Sequence, residues 1–217
     1  MQNILSSESP LMHTANRIAD LIILNLLTIL CSLPIFTIHV SMTALFACVR
    51  DLTSDTGGSV VHQYFHHWKT SFLPGTKLFV PVLVVWALLV LDAFFLTGTE
   101  NGSPMIYWVL YIICFLLFSG TSVLFLLLYV NFENTLRFTL INAFKVCLAR
   151  LPQTILSVAL LGWPIIVFLI SPSLFVWALI IFMIAGLSLP VYWITLLFRP
   201  TILKLSQASQ SVAGSSM

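Results

Sequence analysis

Three long tracts of the chain are almost wholly apolar, and they constrain the fold more than any other feature. They cover residues 78–96, 105–130 and 154–197. An α-helix rises about 1.5 Å per residue and the hydrocarbon core of a bilayer is roughly 30 Å thick, so about 20 apolar residues make one crossing. The first two tracts can each cross once, and the third can cross twice around Ser171-Pro172. The sequence therefore predicts an all-α, polytopic transmembrane helix bundle.

The composition is typical of a protein embedded in a lipid bilayer. Hydrophobic residues make up 59% of the 217 residues and charged residues only 7%, against roughly 25% charged in ordinary soluble domains. A net charge of +2 is too small to indicate a nucleic-acid partner. The four cysteines form no Cys-x-x-Cys pair, so they indicate neither a disulfide framework nor a metal knuckle. We expect one integral membrane domain over residues 1–217.

The apolar pattern divides this domain into about five spans. They are expected at roughly 21–38, 75–96, 105–130, 154–170 and 174–198. Charged or helix-breaking residues interrupt several of them, namely Asp92, Gly120, Gly162, Pro164, Gly186 and Pro190. Small residues and prolines inside spans either loosen a helix for function or let helices approach closely. Close packing is the commoner reason, and we expect it here.

Lysine and arginine fall almost entirely on one side of a five-span arrangement. The residues on that side are Arg50, Lys69, Lys77, Arg137, Lys145, Arg150, Arg199 and Lys204. Because short cytoplasmic loops are enriched in both residue types, we expect a multi-pass protein of the cell membrane with a cytoplasmic C-terminus and an outside N-terminus. The alternative is a hairpin over residues 18–49, which would bring the N-terminus and Arg17 inside. Two crossings need about 40 residues, so that hairpin would have to be re-entrant.

Residues 60–72, between the first two spans, have the pattern of an amphipathic helix. Its apolar residues recur at helical spacing, and they are Val60, Val61, Tyr64, Phe65, Trp68 and Phe72. With Lys69 beside Trp68, this helix is expected to lie in the cytoplasmic interface and to lead into the second span. His62 and His66 stand four residues apart and could hold a metal ion. We favour an interfacial polar face, since no cysteine and only Asp55 as a carboxylate lie nearby.

Residues 131–152 predict a second cytoplasmic helix. Glu133 and Arg137 have the i,i+4 spacing of an ion pair, and the segment continues through Asn142 to Arg150 and a Leu-Pro step. ABC permeases contact their ATPase through a cytoplasmic helix whose motif ends in a similar Leu-Pro. Glu133, Arg137, Asn142 and Arg150 are therefore candidates for contact with a partner, although an interfacial helix with an internal ion pair is the simpler interpretation.

Inside the spans, Asn25 and Asp92 are the strongest polar candidates for function, because polar and charged groups are costly in the bilayer. Motifs of enzymes are missing. The sequence has no His-Glu-x-x-His, no Gly-x-Ser-x-Gly and no phosphate-binding loop. We therefore expect no catalytic activity and no cofactor.

Several stretches resemble the YesL family of bacterial integral membrane proteins. They are Asn25-Leu26-Leu27, residues 31–38 (CSLPIFTI), Thr43-Ala44-Leu45, the aromatic run 64–72, and the helix around Asn142-Ala143. The chain departs from the family at His39, where a glycine is usual, and in the histidines of the 60–72 helix, where relatives tend to carry lysine. The family is itself of unknown function, and its members are often encoded beside carbohydrate ABC transporters and sugar-degrading enzymes.

The resemblance implies a non-catalytic membrane protein that assists or regulates carbohydrate uptake through contact with an ABC-transporter permease. An alternative is a small autonomous transporter or channel, a homo-oligomer in the bilayer, that uses Asn25, Asp92 and the proline breaks to line a path. A third hypothesis is a membrane-bound metal sensor built on His62 and His66.

Overall fold

The computed structural model describes residues 10–54, 58–98, 104–132 and 135–214, and these residues form nine α-helices and one short 3-10 helix. The α-helices are α1 (Pro10–Cys31), α2 (Ile38–Thr53), α3 (Val60–Gly98), α4 (Met105–Asn131), α5 (Leu136–Ala149), α6 (Leu151–Leu161), α7 (Trp163–Ile170), α8 (Pro172–Ala185) and α9 (Ser188–Gly214). The described ranges contain no strand. The predicted all-α bundle is confirmed.

Four helical segments are long and apolar enough to cross a membrane, and two bent pairs of helices pass the same test. The four segments are Thr14–Cys31, Ile35–Thr53, Val80–Gly98 and Met105–Asn131. In the bent pairs, α5 meets α6 at 105° and α8 meets α9 at 66°. The structure thus has four to six candidate spans, a range that includes the five predicted. Large apolar side chains cover the outside of several of these helices, as at Phe94 and Leu169, which is typical of a lipid-facing surface.

The first predicted span, 21–38, corresponds to parts of two helices rather than to one. Helix α1 ends at Cys31, and after a turn at Pro34 and the 3-10 helix Ile35–Thr37 the chain continues as α2. The Thr37 hydroxyl closes the turn by donating to the carbonyls of Cys31 and Pro34, both at 2.6 Å. Helices α1 and α2 then pack against each other. The structure therefore contains the helical hairpin that sequence length had argued against.

Helix α2 occupies the centre of the bundle. It packs against α1, α3, α4 and α9, and every residue from Thr43 to Val49 is buried. A helix that is buried on all sides has no polar face. The apolar character of this stretch therefore reflects packing against protein as much as contact with lipid.

Helix α3 differs from the separate interfacial helix expected over 60–72, because it runs unbroken for 39 residues, or about 58 Å. Its first part packs along α2, with Tyr64 fully buried in the core. Gly75 allows this close approach, since a Cβ there would lie 3.0 Å from a methyl group of Val40. Packing against α2 thus maintains the helix through Pro74 and Gly75, two residue types that disfavour a helix interior.

Helix α5 confirms the helix predicted over 131–152, but it begins at Leu136 and folds back along α4. Gly120 of α4 lies at the contact. A Cβ at Gly120 would meet a methyl group of Thr154 at 2.2 Å and the Cys147 sulfur at 3.3 Å. The interruption at Gly120 therefore serves packing, as expected. The predicted span 154–170 is divided at Gly162 into α6 and α7.

Candidate functional site

The most completely organised polar site lies where α8 and α9 meet, and Asn25 of α1 forms it. Its side-chain nitrogen donates to the carbonyl oxygens of Phe182, at 2.9 Å, and Met183, at 2.8 Å. Its side-chain oxygen accepts from the backbone amides of Leu187, at 2.8 Å, and Ser188, at 3.3 Å. An amide group has two donor hydrogens and two acceptor positions, so the Asn25 side chain is saturated.

Asn25 lies where backbone groups at the break between α8 and α9 need hydrogen-bond partners. At the break, the Phe182 carbonyl already accepts from the Gly186 amide at 2.9 Å, whereas the Met183 carbonyl and the first amides of α9 have no partner within their own helices. An unsatisfied backbone group inside a bilayer costs several kcal/mol. Asn25, with none of its surface exposed, supplies both kinds of partner. Trp163 adds a hydrogen bond from its ring nitrogen to the Gly186 carbonyl at 3.3 Å. We refer to this arrangement of Asn25, Trp163 and residues 182–188 as the helix-break clamp.

Most hydroxyl groups within the candidate spans bond back to their own helices. The donors are Thr28, Ser32, Thr43, Ser122, Ser157 and Thr195, each to the carbonyl four residues earlier. Such a bond satisfies the hydroxyl locally. These groups are therefore not directed into a shared polar path.

The structure does not bring the two strongest sequence candidates together. Asn25 is buried within the helix-break clamp, whereas Asp92 is exposed on α3, six residues before that helix ends at Gly98. No hydrogen bond between described residues connects them. Asp92 thus stays a candidate only as a single exposed carboxylate.

A second polar cluster, formed by Arg50, Asp51 and His67, was not found from the sequence. Asp51 accepts from Arg50 at 2.7 and 2.9 Å through one oxygen, and its other oxygen lies 2.8 Å from Nε2 of His67. Arg50 also donates to the carbonyl of Val130, at the end of α4, where free carbonyls attract a cation. The cluster links α2, α3 and α4 beside a cavity of about 390 Å³.

The histidines proposed as metal ligands are exposed on the outer surface of α3. His62 and His66 both face outward, and within the described ranges no group of three His, Cys, Asp or Glu side chains is arranged to hold a metal ion. Asp55, the carboxylate closest to these histidines in the sequence, lies outside the described ranges. The carboxylate that does contact this region is Asp51, which pairs with His67.

The predicted partner-contact residues are spread along α5. Arg137 and Asn142 are exposed on it, and Arg150 is half-buried at its junction with α6. Glu133 lies outside the described residues, so the ion pair expected between Glu133 and Arg137 stays a prediction. These positions leave the outer surface of α5 accessible to another protein.

A model of a known family matches part of the chain. Residues 21–93, about a third of the chain, match the model of a family described as "Protein of unknown function, DUF624". The matched segment extends from α1 into α3, so it includes Asn25 and the Arg50, Asp51 and His67 cluster. No curated protein and no solved structure matches the chain. The match supports a relation between this membrane segment and a family of unknown function.

Proposed function

We propose that this chain is a YesL-like, non-catalytic membrane protein that assists or regulates carbohydrate uptake through contact with the permease of an ABC transporter. The match over residues 21–93 to a family of unknown function and the resemblance of residues 25–45 to YesL proteins support the proposal. The sugar connection comes from the genomic neighbours of that family. Contact with a permease is our inference, and the exposed surface of α5 supports it.

The observation that carries the proposal is the engagement of the polar groups inside the bundle. A sugar site needs several convergent hydrogen-bonding groups in an otherwise apolar or aromatic cleft. Asn25 has all four of its hydrogen-bonding positions occupied by the helix-break clamp, and most hydroxyls are bonded to their own helices. The engagement of Asn25 and of most span hydroxyls favours a chain that acts through a partner over one that carries a hydrated solute.

The outer surface of α5 is the proposed contact. It exposes Arg137 and Asn142 together with the apolar side chains of Phe138 and Ile141. Arginine and aromatic residues are enriched at protein interfaces. The surface also lies just after the turn between α4 and α5, on the side to which the distribution of basic residues assigns the cytoplasm.

Affinity purification from the native host tests the proposal. The tagged chain should recover a sugar permease, and the double variant Arg137→Ala with Asn142→Ala should lose most of it while still inserting in the membrane. Arg199→Ala, an exposed arginine on α9, is the matched control and should recover the permease normally. Equal recovery with the double variant would remove α5 as the contact, and recovery of no transporter component would end the proposal.

An autonomous transporter is the second candidate, and the 66° break between α8 and α9 favours it. Discontinuous helices often bind substrate or ions in transporters through their free ends. Here Asn25 already binds those ends. Uptake of a sugar or ion by purified protein in liposomes, lost in Asp92→Asn, would establish this candidate in place of the helper role.

A further inference from the structure

An apolar groove of about 890 Å³ lies between α3, α4 and α5, apart from the helix-break clamp and the Arg50 cluster. Its walls are almost entirely aliphatic and aromatic, with Pro81 and Val85 from α3, Leu117 and Phe118 from α4, and Phe144 from α5. The volume is within the range of roughly 300–1,000 Å³ that is usual for ligand sites. Two of the helices that form it contain candidate spans, so the groove lies at the level of the bilayer.

Two polar atoms in this groove are buried and lack a hydrogen-bond partner in the described part of the chain. They are Oγ1 of Thr121 on α4 and Nε2 of His39 at the start of α2. Thr121 is only 9% exposed. The other threonine and serine hydroxyls of the spans mostly bond to their own helices, so Thr121 is an exception. A buried hydroxyl without a partner is unfavourable, and Thr121 is one of the residues that line the groove.

The charge at the groove is positive. Lys145 of α5 lines it and is exposed, and among the described residues no acidic side chain lines the groove. A lysine near a membrane surface attracts an anionic headgroup. The groove thus combines an apolar body, two buried groups that can donate a hydrogen bond and one accessible cation.

We propose that this groove binds one anionic glycerophospholipid. Its acyl chain lies along the apolar walls, its ester carbonyls accept hydrogen bonds from Thr121 and His39, and its phosphate pairs with Lys145. A partner helix fits less well, because its backbone carbonyls are already bonded within the helix and would leave Thr121 and His39 unsatisfied. The proposal is independent of the helper role, since it concerns the purified chain alone.

Native mass spectrometry of the purified full chain in mild detergent tests the proposal with two probes, phosphatidylglycerol and phosphatidylcholine. The wild type should retain one phosphatidylglycerol. Lys145→Gln should lower that retention about fivefold, as expected for one lost ionic contact of about 1 kcal/mol, without changing retention of phosphatidylcholine. Lys204→Gln, an exposed lysine outside the groove, is the matched control and should behave as the wild type.

Two further variants separate the groove from the charge. Cys114, which is exposed and lines the groove, can be changed to tryptophan to fill it, and Cys114→Trp should abolish retention of both lipids. Thr121→Val keeps the shape and removes the hydroxyl, so it should lower retention of both lipids roughly threefold, the effect of a membrane hydrogen bond of about 0.6 kcal/mol. Unchanged retention in Lys145→Gln or in Thr121→Val would overturn the proposal, as would equal losses in Lys145→Gln and Lys204→Gln.

Discussion

Replacing Asn25 with leucine should destabilise the bundle strongly, because this one side chain makes four hydrogen bonds to backbone groups at the break between α8 and α9. Leucine has a similar size, so the change removes hydrogen bonds and leaves little cavity. Hydrogen bonds inside membrane proteins contribute about 0.6 kcal/mol on average and at most about 1.7 kcal/mol, and buried groups left without partners add to the loss. With four bonds removed, we expect a loss of about 2 to 4 kcal/mol.

Thermal unfolding in detergent can measure this loss. Cys114 is exposed, whereas Cys48 and Cys147 are buried. Once Cys114 has reacted with a thiol-reactive dye, the reaction of the buried cysteines reports the opening of the bundle. At about 2 to 4 °C per kcal/mol for a chain of this length, Asn25→Leu should lower Tm by roughly 5 to 15 °C.

A matched control distinguishes the clamp from the general cost of removing a polar group. Thr195 is also buried, and its hydroxyl makes one bond, at 2.9 Å, to the Val191 carbonyl of its own helix. Thr195→Val should therefore lower Tm by only a few degrees. Equal shifts for the two variants, or no shift in Asn25→Leu, would refute the role of Asn25 as the clamp.

Two further predictions concern packing and topology. Gly120→Ala should destabilise the bundle by about 1 to 3 kcal/mol, the usual cost of overpacking. Adding Thr154→Ser should recover part of this loss, because it removes the methyl group that lies 2.2 Å from the new Cβ. Equal losses in the single and double variants would contradict this contact. Helices α1 and α9 are antiparallel, since Asn25 contacts Ser188 while Arg17 contacts Tyr192. This arrangement predicts that the N-terminus lies on the same side as the C-terminus. Reporter fusions at both ends should then be active in the cytoplasm, and labelling of an N-terminal tag from outside would instead favour the odd-span arrangement.

The sequence alone determined the fold class and located α4 closely. Hydropathy is local, and a tract such as 105–130 has few ways to satisfy its backbone in lipid other than an α-helix. The helix over 131–152 was also predictable, although its direction, back along α4, was not. Close packing at Gly120 was expected from the residue type, but its partners, Thr154 and Cys147, were not identifiable.

Tertiary structure decided which polar groups act together. Asn25 meets Phe182 across 157 residues of chain, and Asp51 meets His67 across 16, contacts that no local pattern encodes. The same holds for the hairpin of α1 and α2. The number of residues needed to cross a bilayer predicted a single span over 21–38. Helix α2, however, is surrounded by other helices, so where it begins and ends depends on its packing against them. Hydropathy measures how well each residue dissolves in lipid, whereas hydrogen-bond partners and helix breaks depend on which segments the fold brings into contact.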